Sequence, residues 1–266
     1  MKFRAVFVSD FHLGANKAQV NQINKFLKTV DCETLYLVGD ILDIWRIKQL
    51  LRMGKKSKKH FVCINKILRI ASRNTKVVYV LGNHDEFLNV FASNFKSDNL
   101  EVCNMTIHET ARGDKMLIAH GHQFDLASRF PKALLVLGDC MYDFLLFSNR
   151  IVNSVRGFLG KPHWSLSQYL KKNVKKAINF LETYEKVAVE SARKKECSAV
   201  VCGHVHTPAR KNINGIEYLN TGCWTEERNC SYIVEHWNGE LEIKEFFFDD
   251  DNRNSQCDRS LSLLEA

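Results

Sequence analysis

The sequence predicts an α/β protein with parallel strands and an inserted block of helices. Two observations support this class. Up to about residue 123, short apolar runs bounded by turn residues alternate with amphipathic helical segments, which is the pattern of β-α-β units. Residues 124–195 then change to long helical patterns with few strand signals. The chain therefore reads as a sheet-containing core interrupted by helices.

The first half alternates strands and helices in order. Residues 3–9 form an apolar strand, and residues 17–30 form an amphipathic helix because their apolar side chains recur at helical spacing. The other elements predicted here are a strand at 34–38, a helix near 60–73, a strand at 76–81, a helix at about 86–95, and strands near 100–103, 105–109 and 115–119.

The helical block at 124–195 lies between a strand at 115–119 and another at 199–202. That position favours a lid over the carboxyl ends of the strands, and an ordinary helical layer is the alternative. Strands follow at 209–213, 217–219, 230–236 and 241–248, with Asn-Gly turns between them. We expect a core of residues 1–123 and 196–248, a cap of residues 124–195, and a disordered polar tail at 249–266.

Composition places the chain among globular proteins. Hydrophobic residues make up 45% of 266 residues and charged residues 26%. Apolar runs stay short of the roughly 20 residues that a membrane span needs, and residues 1–10 read as a strand rather than a secretory signal. The nine cysteines form an odd set without a CxxC pair, which favours reduced thiols in a cytoplasmic protein.

Positive charge is concentrated in one segment. The net charge is +8, and Arg46 to Lys76 contains eleven Lys and Arg with no Asp or Glu. Such a field attracts polyanions or anionic membrane surfaces. A solvated helix face is the structural alternative.

Five predicted strands end in the same way, with an apolar run that leads into His, Asp or Asn. The clearest is the run at 77–81, which stops at Gly82-Asn83-His84-Asp85. The others lead into Asp10-Phe11-His12, Gly39-Asp40, His120-Gly121-His122 and Gly203-His204-Val205-His206. Ligands of open sheets gather beyond the carboxyl ends of the strands, so these motifs predict one shared site.

The side chains at these strand ends suit a metal centre. The oxygen and nitrogen donors are Asp10, His12, Asp40, Asn83, His120, His204 and His206. Donors of this kind fit Mn²⁺, Fe²⁺ or Zn²⁺, and seven exceed what one catalytic ion uses. Two ions about 3.5 to 4 Å apart would polarise phosphoryl oxygens and lower the pKa of a bridging water. Each motif alone could be a helix cap or an Asx turn, but five together favour phosphate ester or anhydride hydrolysis.

This order of motifs resembles the calcineurin-like metallophosphoesterases, nearly up to Phe248. The resemblance implies a four-layer α/β/β/α sandwich with an inserted helical cap and two divalent ions, with Mn²⁺ favoured over Fe²⁺ or Zn²⁺. The ligands it implies are Asp10, His12 and His206 for one ion, Asn83, His120 and His204 for the other, and Asp40 between them. It makes His84 the residue that stabilises the transition state or protonates the leaving oxygen, oriented by Asp85.

A closer likeness concerns the UDP-2,3-diacylglucosamine diphosphatase group of lipid A biosynthesis. It is carried by residues 36–45, 82–87, 120–125, 164–167 and 219–226. That group cleaves a pyrophosphate to UMP and a diacylglucosamine 1-phosphate, and its apolar cap receives the acyl chains. The likeness implies a nucleotide-linked glycolipid substrate, peripheral contact with the cytoplasmic face of the inner membrane, and substrate contacts from His122, Asn173 and Lys176.

Three residues depart from that group's pattern. His84 stands where its best-characterised branch has Arg, His122 stands where it has Asp, and Cys223 follows a glycine where related sequences usually carry Asp. None of the three is an expected metal ligand. The departures therefore bear on the substrate rather than on the metals.

Two other functions stay open at this point. A nuclease or broader phosphodiesterase would use the same metal pair, with the basic segment along a nucleic-acid backbone. Against the nuclease function, segment 46–76 lacks interleaved aromatic residues, and DNA binding would not require the apolar insertion. A non-catalytic scaffold is disfavoured because the histidines of the motifs are all present. The sequence does not indicate an oligomeric state.

Overall fold

The computed structural model describes residues 2–43, 46, 55–73, 75–92, 96–97, 99–125, 181–225, 230–248 and 256–260. The chain divides into two compact units, one of Met1–His122 with Ala188–Ala266 and one of Gln123–Val187. Most of the predicted cap, including Asn173 and Lys176, lies outside the described residues, so the cap stays a prediction. No helix within the described ranges is long and apolar enough to cross a membrane.

The described strands form two sheets. The strands are β1 (Phe3–Val8), β2 (Cys32–Val38), β3 (Lys76–Val80), β4 (Lys96–Ser97), β5 (Leu100–Cys103), β6 (Met105–Glu109), β7 (Lys115–Ala119), β8 (Ala199–Cys202), β9 (Ala209–Ile213), β10 (Ile216–Asn220), β11 (Ser231–Glu235), β12 (Leu241–Phe248) and β13 (Gln256–Ser260). The larger sheet has the order β13-β12-β11-β1-β2-β3-β5-β4, and the smaller has β6-β7-β8-β10-β9.

Each sheet has a parallel centre. In the larger sheet β1, β2, β3 and β5 pair in parallel, and in the smaller sheet β7, β8 and β10 do so. Parallel neighbours bring their carboxyl ends to one edge of the sheet. The strands that precede the five polar motifs are β1, β2, β3, β7 and β8, so the topology brings the motifs of each sheet together.

Strand alternation sorts the core into two layers. Val6 and Val8 of β1 belong to one apolar cluster with helical residues, whereas Phe7 belongs to a second cluster with Ile118 and Val201 of the smaller sheet. Because successive side chains of a strand point to opposite faces, the larger sheet packs helices on one face and the smaller sheet on the other. The predicted α/β sandwich is confirmed.

The described helices are α1 (Val20–Thr29), α2 (Lys55–Ala71), the short α3 (Asn89–Ala92) and α4 at 181–194. Helix α1 buries Ile23, Phe26 and Leu27, and these side chains share a cluster with Cys63 and Ile67 of α2. Apolar residues at helical spacing thus fix both helices against the larger sheet.

Two segments differ from their predictions. The helix expected at 86–95 is a 3-10 turn at Glu86–Leu88 followed by the single turn α3, because the Leu88 N–H bonds the Asp85 carbonyl three residues back. Residues 256–260 form β13 within the tail expected to be disordered. They pair antiparallel with β12, whose edge offers unpaired backbone groups.

Candidate metal centre

Backbone hydrogen bonds join the ends of the strands. The N–H of Asp10 bonds the carbonyl of Gly39 at 3.0 Å, and the N–H of His12 bonds that of Asp40 at 2.9 Å. The two sheets meet where the N–H of His204 donates to Asp10 Oδ2 at 3.0 Å. Motifs far apart in sequence therefore lie side by side.

The backbone at this edge has an uncommon conformation. Non-glycine residues with positive φ are rare and cluster at functional sites. Seven occur in the described chain, namely Asp10, His12, Asp40, Glu196, His204, His206 and Asn214. Five of the seven are predicted ligands. The fold thus holds these side chains in left-handed turns that regular structure would not provide.

Asp10 lies at the centre of a first cluster of possible ligands. Its Oδ1 is 3.0 Å from His206 Nε2 and 3.6 Å from His12 Nε2, and the two imidazole nitrogens are 3.4 Å apart. Its other oxygen, Oδ2, accepts hydrogen bonds from Ser9 and from the His204 N–H. One carboxylate oxygen is therefore anchored while the other faces the imidazoles.

Asp40 lies at the centre of a second cluster in the same way. Its Oδ1 accepts the His84 N–H at 2.8 Å. Its Oδ2 lies 3.4 Å from His120 Nε2 and 3.8 Å from His12 Nε2. The ligand atoms of Asp10, Asp40 and His120 lie within 4.8 Å of one another, so the two clusters are continuous.

Several buried atoms in these clusters have no hydrogen-bond partner among the described residues. They are Asp10 Oδ1, His12 Nδ1, Asn83 Oδ1, His120 Nε2 and His122 Nδ1. Unsatisfied buried polar atoms are rare in native proteins and call for an explanation. Oxygen and imidazole nitrogen atoms are the donors that a divalent transition metal takes. The residues present therefore fit a metal centre.

Charge and orientation of His120 support that fit. Its Nδ1 lies 2.8 Å from the Val38 carbonyl, so donation there leaves Nε2 as the atom that faces Asp40. Burial opposes a charge on His120, but the carboxylates of Asp40 and Asp10 outweigh it and raise its pKa to about 9. The carboxylates of the two clusters thus stabilise positive charge beside them.

Glycines let these elements approach closely. A Cβ at Gly82 would overlap the Asp40 carboxylate, and one at Gly203 would overlap Ser9 and Asp10. A side chain at either position would displace a carboxylate from the clusters. This explains the glycine in Gly-Asn-His-Asp and in Gly-His-x-His.

Two carboxylates near His84 differ in what they contact. The carboxylate of Asp85 accepts the backbone N–H groups of Ile41 and Leu42 at 3.1 and 2.9 Å. Asp43 Oδ1 lies 3.6 Å from His84 Nδ1. Asp85 thus holds the loop after β2, and Asp43 is a carboxylate that lies beside the His84 imidazole. Asp43 is not among the predicted site residues, although its place three residues after Asp40 is a usable signal.

The remaining predicted residues lie around His120. The ring of His204 is 5.2 Å from that of His120, and the ring of His122 is 5.7 Å from it. Burial lowers the pKa of His122, and the charges of His120 and His204 bring it to about 4. His122 is therefore neutral at neutral pH.

Cys223 contacts the first cluster. Burial opposes the thiolate, but a hydrogen bond with His206 and others with Thr225 outweigh it and lower the pKa of Cys223. Cys223 was singled out only as a departure from related sequences. Its contact with a predicted ligand was not visible in the sequence.

Comparison with known proteins identifies the class. The family model described as calcineurin-like phosphoesterase matches residues 3–208. The chain belongs to this family, and it is a metal-dependent phosphoesterase. The family depends on two metal ions, in agreement with the two clusters of possible ligands.

Individual relatives refine the comparison. The chain is 22% identical to the UDP-2,3-diacylglucosamine hydrolase of Shewanella piezotolerans, over 87% of this chain and 94% of that protein. It is 24% identical to the protein of the same name from Shewanella baltica, over 84% and 90%. Among solved structures, Vps29 of Chaetomium thermophilum aligns with a TM-score of 0.45 and 10% identity over 97% of both chains.

Proposed function

We propose that this enzyme hydrolyses the pyrophosphate of UDP-2,3-diacylglucosamine, or of a similar nucleotide-linked glycolipid, to UMP and a lipid sugar 1-phosphate. The observation that carries the chemistry is the set of buried, unpaired donor atoms around Asp10, Asp40 and His120. The substrate is supported by the relatives named for it, which align over most of both chains. Those relatives also match the group that the sequence motifs resemble.

The proposed metal ligands fall into two sets that share a carboxylate. They are Asp10, His12 and His206, then Asn83, His120 and His204, with Asp40 common to both. We favour Mn²⁺, with Fe²⁺ or Zn²⁺ as alternatives. When bound, such a pair of ions polarises phosphoryl oxygens and makes water nucleophilic at neutral pH. The proposed ligand set contains no cysteine, which suits these ions.

His84 is the proposed proton donor. Its side chain is 35% exposed, whereas the Asp40 carboxylate beside it is 3% exposed, so His84 faces the side from which substrate arrives. Burial lowers the pKa of His84, but the neighbouring carboxylates of Asp43 and Asp40 outweigh it and raise that pKa. A protonated imidazole can donate to a phosphoryl oxygen or to the leaving oxygen.

Substrate contacts outside the clusters are proposed for three residues. A neutral His122 would offer hydrogen bonds to the sugar or phosphate rather than an ion pair. Asn173 and Lys176 of the cap, proposed by resemblance alone, would contact phosphate or sugar. We further propose a cytoplasmic location at the inner face of the inner membrane, where such an amphiphilic substrate lies.

The direct test is hydrolysis of UDP-2,3-diacylglucosamine in detergent with Mn²⁺, with UMP measured by mass spectrometry. We expect UMP and lipid sugar 1-phosphate in equal amounts, and no product from the Asp40→Ala variant. Single-stranded DNA and a chromogenic phosphodiester serve as competing substrates. Turnover of either without release of UMP would replace the glycolipid by the broader phosphodiesterase function, for which the cationic segment 46–76 is the supporting feature.

A further inference from the structure

Two buried hydroxyl groups lie behind Asp10, and neither belongs to the predicted site residues. Ser9 directly follows β1 of the larger sheet, and Thr221 directly follows β10 of the smaller sheet. Ser9, Asp10 and Thr221 are each 0% exposed. The hydroxyl oxygens of Ser9 and Thr221 lie 2.6 Å apart. A hydrogen bond between them therefore links the ends of strands from the two sheets.

The two hydroxyl groups form a chain that ends on the Asp10 carboxylate. A carboxylate oxygen only accepts hydrogen bonds, so Ser9 donates its one proton to Asp10 Oδ2. Ser9 Oγ can then accept, and Thr221 donates to it. The Gly222 carbonyl lies 3.2 Å from Ser9 Oγ, and the Cys202 carbonyl lies 3.2 Å from Thr221 Oγ1. Both are more distant alternatives. Hydroxyl groups linked in a buried chain polarise one another and strengthen its bonds.

The backbone around Thr221 fixes the far end of this chain. The Thr221 N–H donates to the Cys202 carbonyl of β8 at 2.9 Å. The Thr221 carbonyl accepts from Ser231 Oγ of β11 at 2.7 Å. The next residue, Gly222, has a φ of 75°, and a Cβ there would overlap Ser231 Oγ. Thr221 is therefore anchored on both sides and can hold the Ser9 hydroxyl in one place.

The hydroxyl chain acts on one of the two carboxylate oxygens of Asp10. That oxygen, Oδ2, also accepts the His204 N–H at 3.0 Å. The other, Oδ1, has no hydrogen-bond partner among the described residues and lies 3.0 Å from His206 Nε2. The torsion that turns a carboxylate has broad minima, so the rotamer alone does not decide where Oδ1 points. The hydrogen bonds to Oδ2 decide it.

We propose that Ser9 and Thr221 are positioning residues for the metal ligand Asp10, and that Thr221 acts through Ser9. Their hydrogen bonds keep Oδ1 turned toward His12 and His206, so these ligands are arranged before an ion binds. Groups that orient metal ligands typically contribute about 10- to 100-fold in metal affinity. The inference rests on the proposed function for the metal centre and is independent of the substrate.

A purely structural role would have a different signature. A hydroxyl pair that only joins two sheets contributes to folding, so its loss would lower the unfolding temperature without changing metal affinity. A positioning role requires weaker binding of the ion held by Asp10. The other ion, held by Asn83, His120 and His204, should bind nearly as in the wild type.

The test is equilibrium dialysis of the full chain against graded concentrations of free Mn²⁺, with metal content measured per chain. Thr221→Val removes the hydroxyl and keeps the branched shape, so one of the two ions should bind about 10- to 100-fold more weakly. Thr221→Ser keeps the hydroxyl and should bind both ions as the wild type does. Ser9→Ala should weaken the same ion at least as much. The double variant should lose no more affinity than Ser9→Ala alone, because the two residues act in series.

The matched control is Thr110→Val, which makes the same substitution at a buried threonine outside the metal centre. The Thr110 hydroxyl accepts the N–H groups of Arg112 and Asp114 at 3.2 and 3.1 Å, in the turn between β6 and β7. This turn precedes β7, whereas His120 follows that strand. The control should lose stability in metal-free thermal unfolding and still bind both ions as the wild type does.

Three results would overturn the positioning role. They are unchanged binding of both ions in Thr221→Val, an equal loss in Thr110→Val, and binding by Thr221→Ser that is no better than by Thr221→Val. Additive losses in the double variant would contradict the series arrangement.

The UMP assay separates this inference from the proposed function. Two ions in the wild type and one weakened ion in Thr221→Val, without UMP release, would reject the substrate and retain the positioning role. UMP release with unchanged metal affinity in Thr221→Val would do the reverse. A wild-type chain that binds no ion would reject both.

Discussion

The protein buries two clusters of carboxylates and imidazoles, and they differ in how well they are satisfied. One is the candidate metal centre around Asp10, Asp40 and His120, called the metal centre below. The other, which we call the inter-sheet network, consists of Arg4, Tyr36, His108 and Glu235. Both lie in the unit of Met1–His122 and Ala188–Ala266, and both bury carboxylates almost completely.

In the inter-sheet network the polar groups find partners. Glu235 Oε2 lies 2.7 Å from Arg4 Nη1 and 2.7 Å from His108 Nε2. Tyr36 Oη lies 2.9 Å from His108 Nδ1, and the Ala111 N–H donates to Glu235 Oε1. The network thus closes on itself and holds β1, β2, β6 and β11 together.

The metal centre leaves atoms unpaired and places its residues in left-handed turns, whereas the network residues lie within regular strands. Buried polar groups of the same types therefore indicate different things. A satisfied set indicates a structural role. A set of buried polar groups that lack partners and lie on strained backbone indicates a ligand-binding site. No contact within the protein offsets the free-energy cost of burying and straining such a set.

The largest expected effect comes from the carboxylate that joins the two sets of metal ligands. Asp40→Ala should lower kcat by at least about 10³-fold, because bound metal supplies several kcal/mol of transition-state stabilisation. The measurement is UMP release together with metal content. Retention of activity and metal would show that Asp40 contributes no more to catalysis and metal binding than a residue of the inter-sheet network does.

Replacement of His84 sharpens the comparison within the metal centre. His84→Ala should lower kcat roughly 10²- to 10³-fold, the range of general acid catalysis, while both metal ions stay bound. Asp43→Asn should cost about 10- to 100-fold through loss of orientation. Metal analysis beside kinetics separates these roles, and metal loss in His84→Ala equal to that in Asp40→Ala would contradict them.

Replacement of Glu235 should affect stability rather than chemistry. Glu235→Ala leaves Arg4 and His108 without their carboxylate and should lower the free energy of unfolding by about 3 kcal/mol, the lower end for a broken buried pair because Arg4 is partly exposed. Urea denaturation measures this change. The folded variant should keep its wild-type kcat. A kcat loss comparable to that of Asp40→Ala would contradict the assignment of a structural role to the inter-sheet network and a catalytic role to the metal centre.

The smallest effect concerns pH. Burial raises the pKa of Glu235, but hydrogen bonds from His108, Ala111 and Arg4 outweigh it and lower that pKa below 4.5. A lowered pKa in the folded state adds stability above the unfolded value, and this stability is lost as pH falls through the folded value. Wild type should therefore lose stability below about pH 4.5 more steeply than Glu235→Gln. Identical acid unfolding curves would show that Glu235 contributes nothing.

Sequence predicts the metal centre better than the network for a physical reason. Polar motifs such as Gly203-His204-Val205-His206 can be recognised in the local sequence because each directly follows an apolar strand. The parallel topology then brings these motifs together. The contact between Arg4 and Glu235 joins residues 231 positions apart with no motif around either. The place of Asp43 beside His84 is not visible in the sequence either, because adjacency in sequence, which points to Asp85, does not fix which way a buried carboxylate points.

Local turns were also hard to predict. The pattern after Asp85 resembles a helix, yet hydrogen bonds from the N–H groups of Ile41 and Leu42 hold the Asp85 carboxylate, and the chain tightens into a 3-10 turn. Edge pairing of β13 likewise depends on a neighbouring strand rather than on its own polar sequence. Tertiary contacts decided both outcomes.

The central claim is that the unpaired donors around Asp10, Asp40 and His120 hold two divalent ions. Metal analysis of the purified protein after equilibration with Mn²⁺, read beside its thermal unfolding, tests it most directly. We predict two ions per wild-type chain and per Glu235→Ala chain, a higher unfolding temperature with metal, and fewer than two ions in Asp40→Ala. No bound metal and no shift in unfolding temperature with Mn²⁺, Fe²⁺ or Zn²⁺ would contradict the claim.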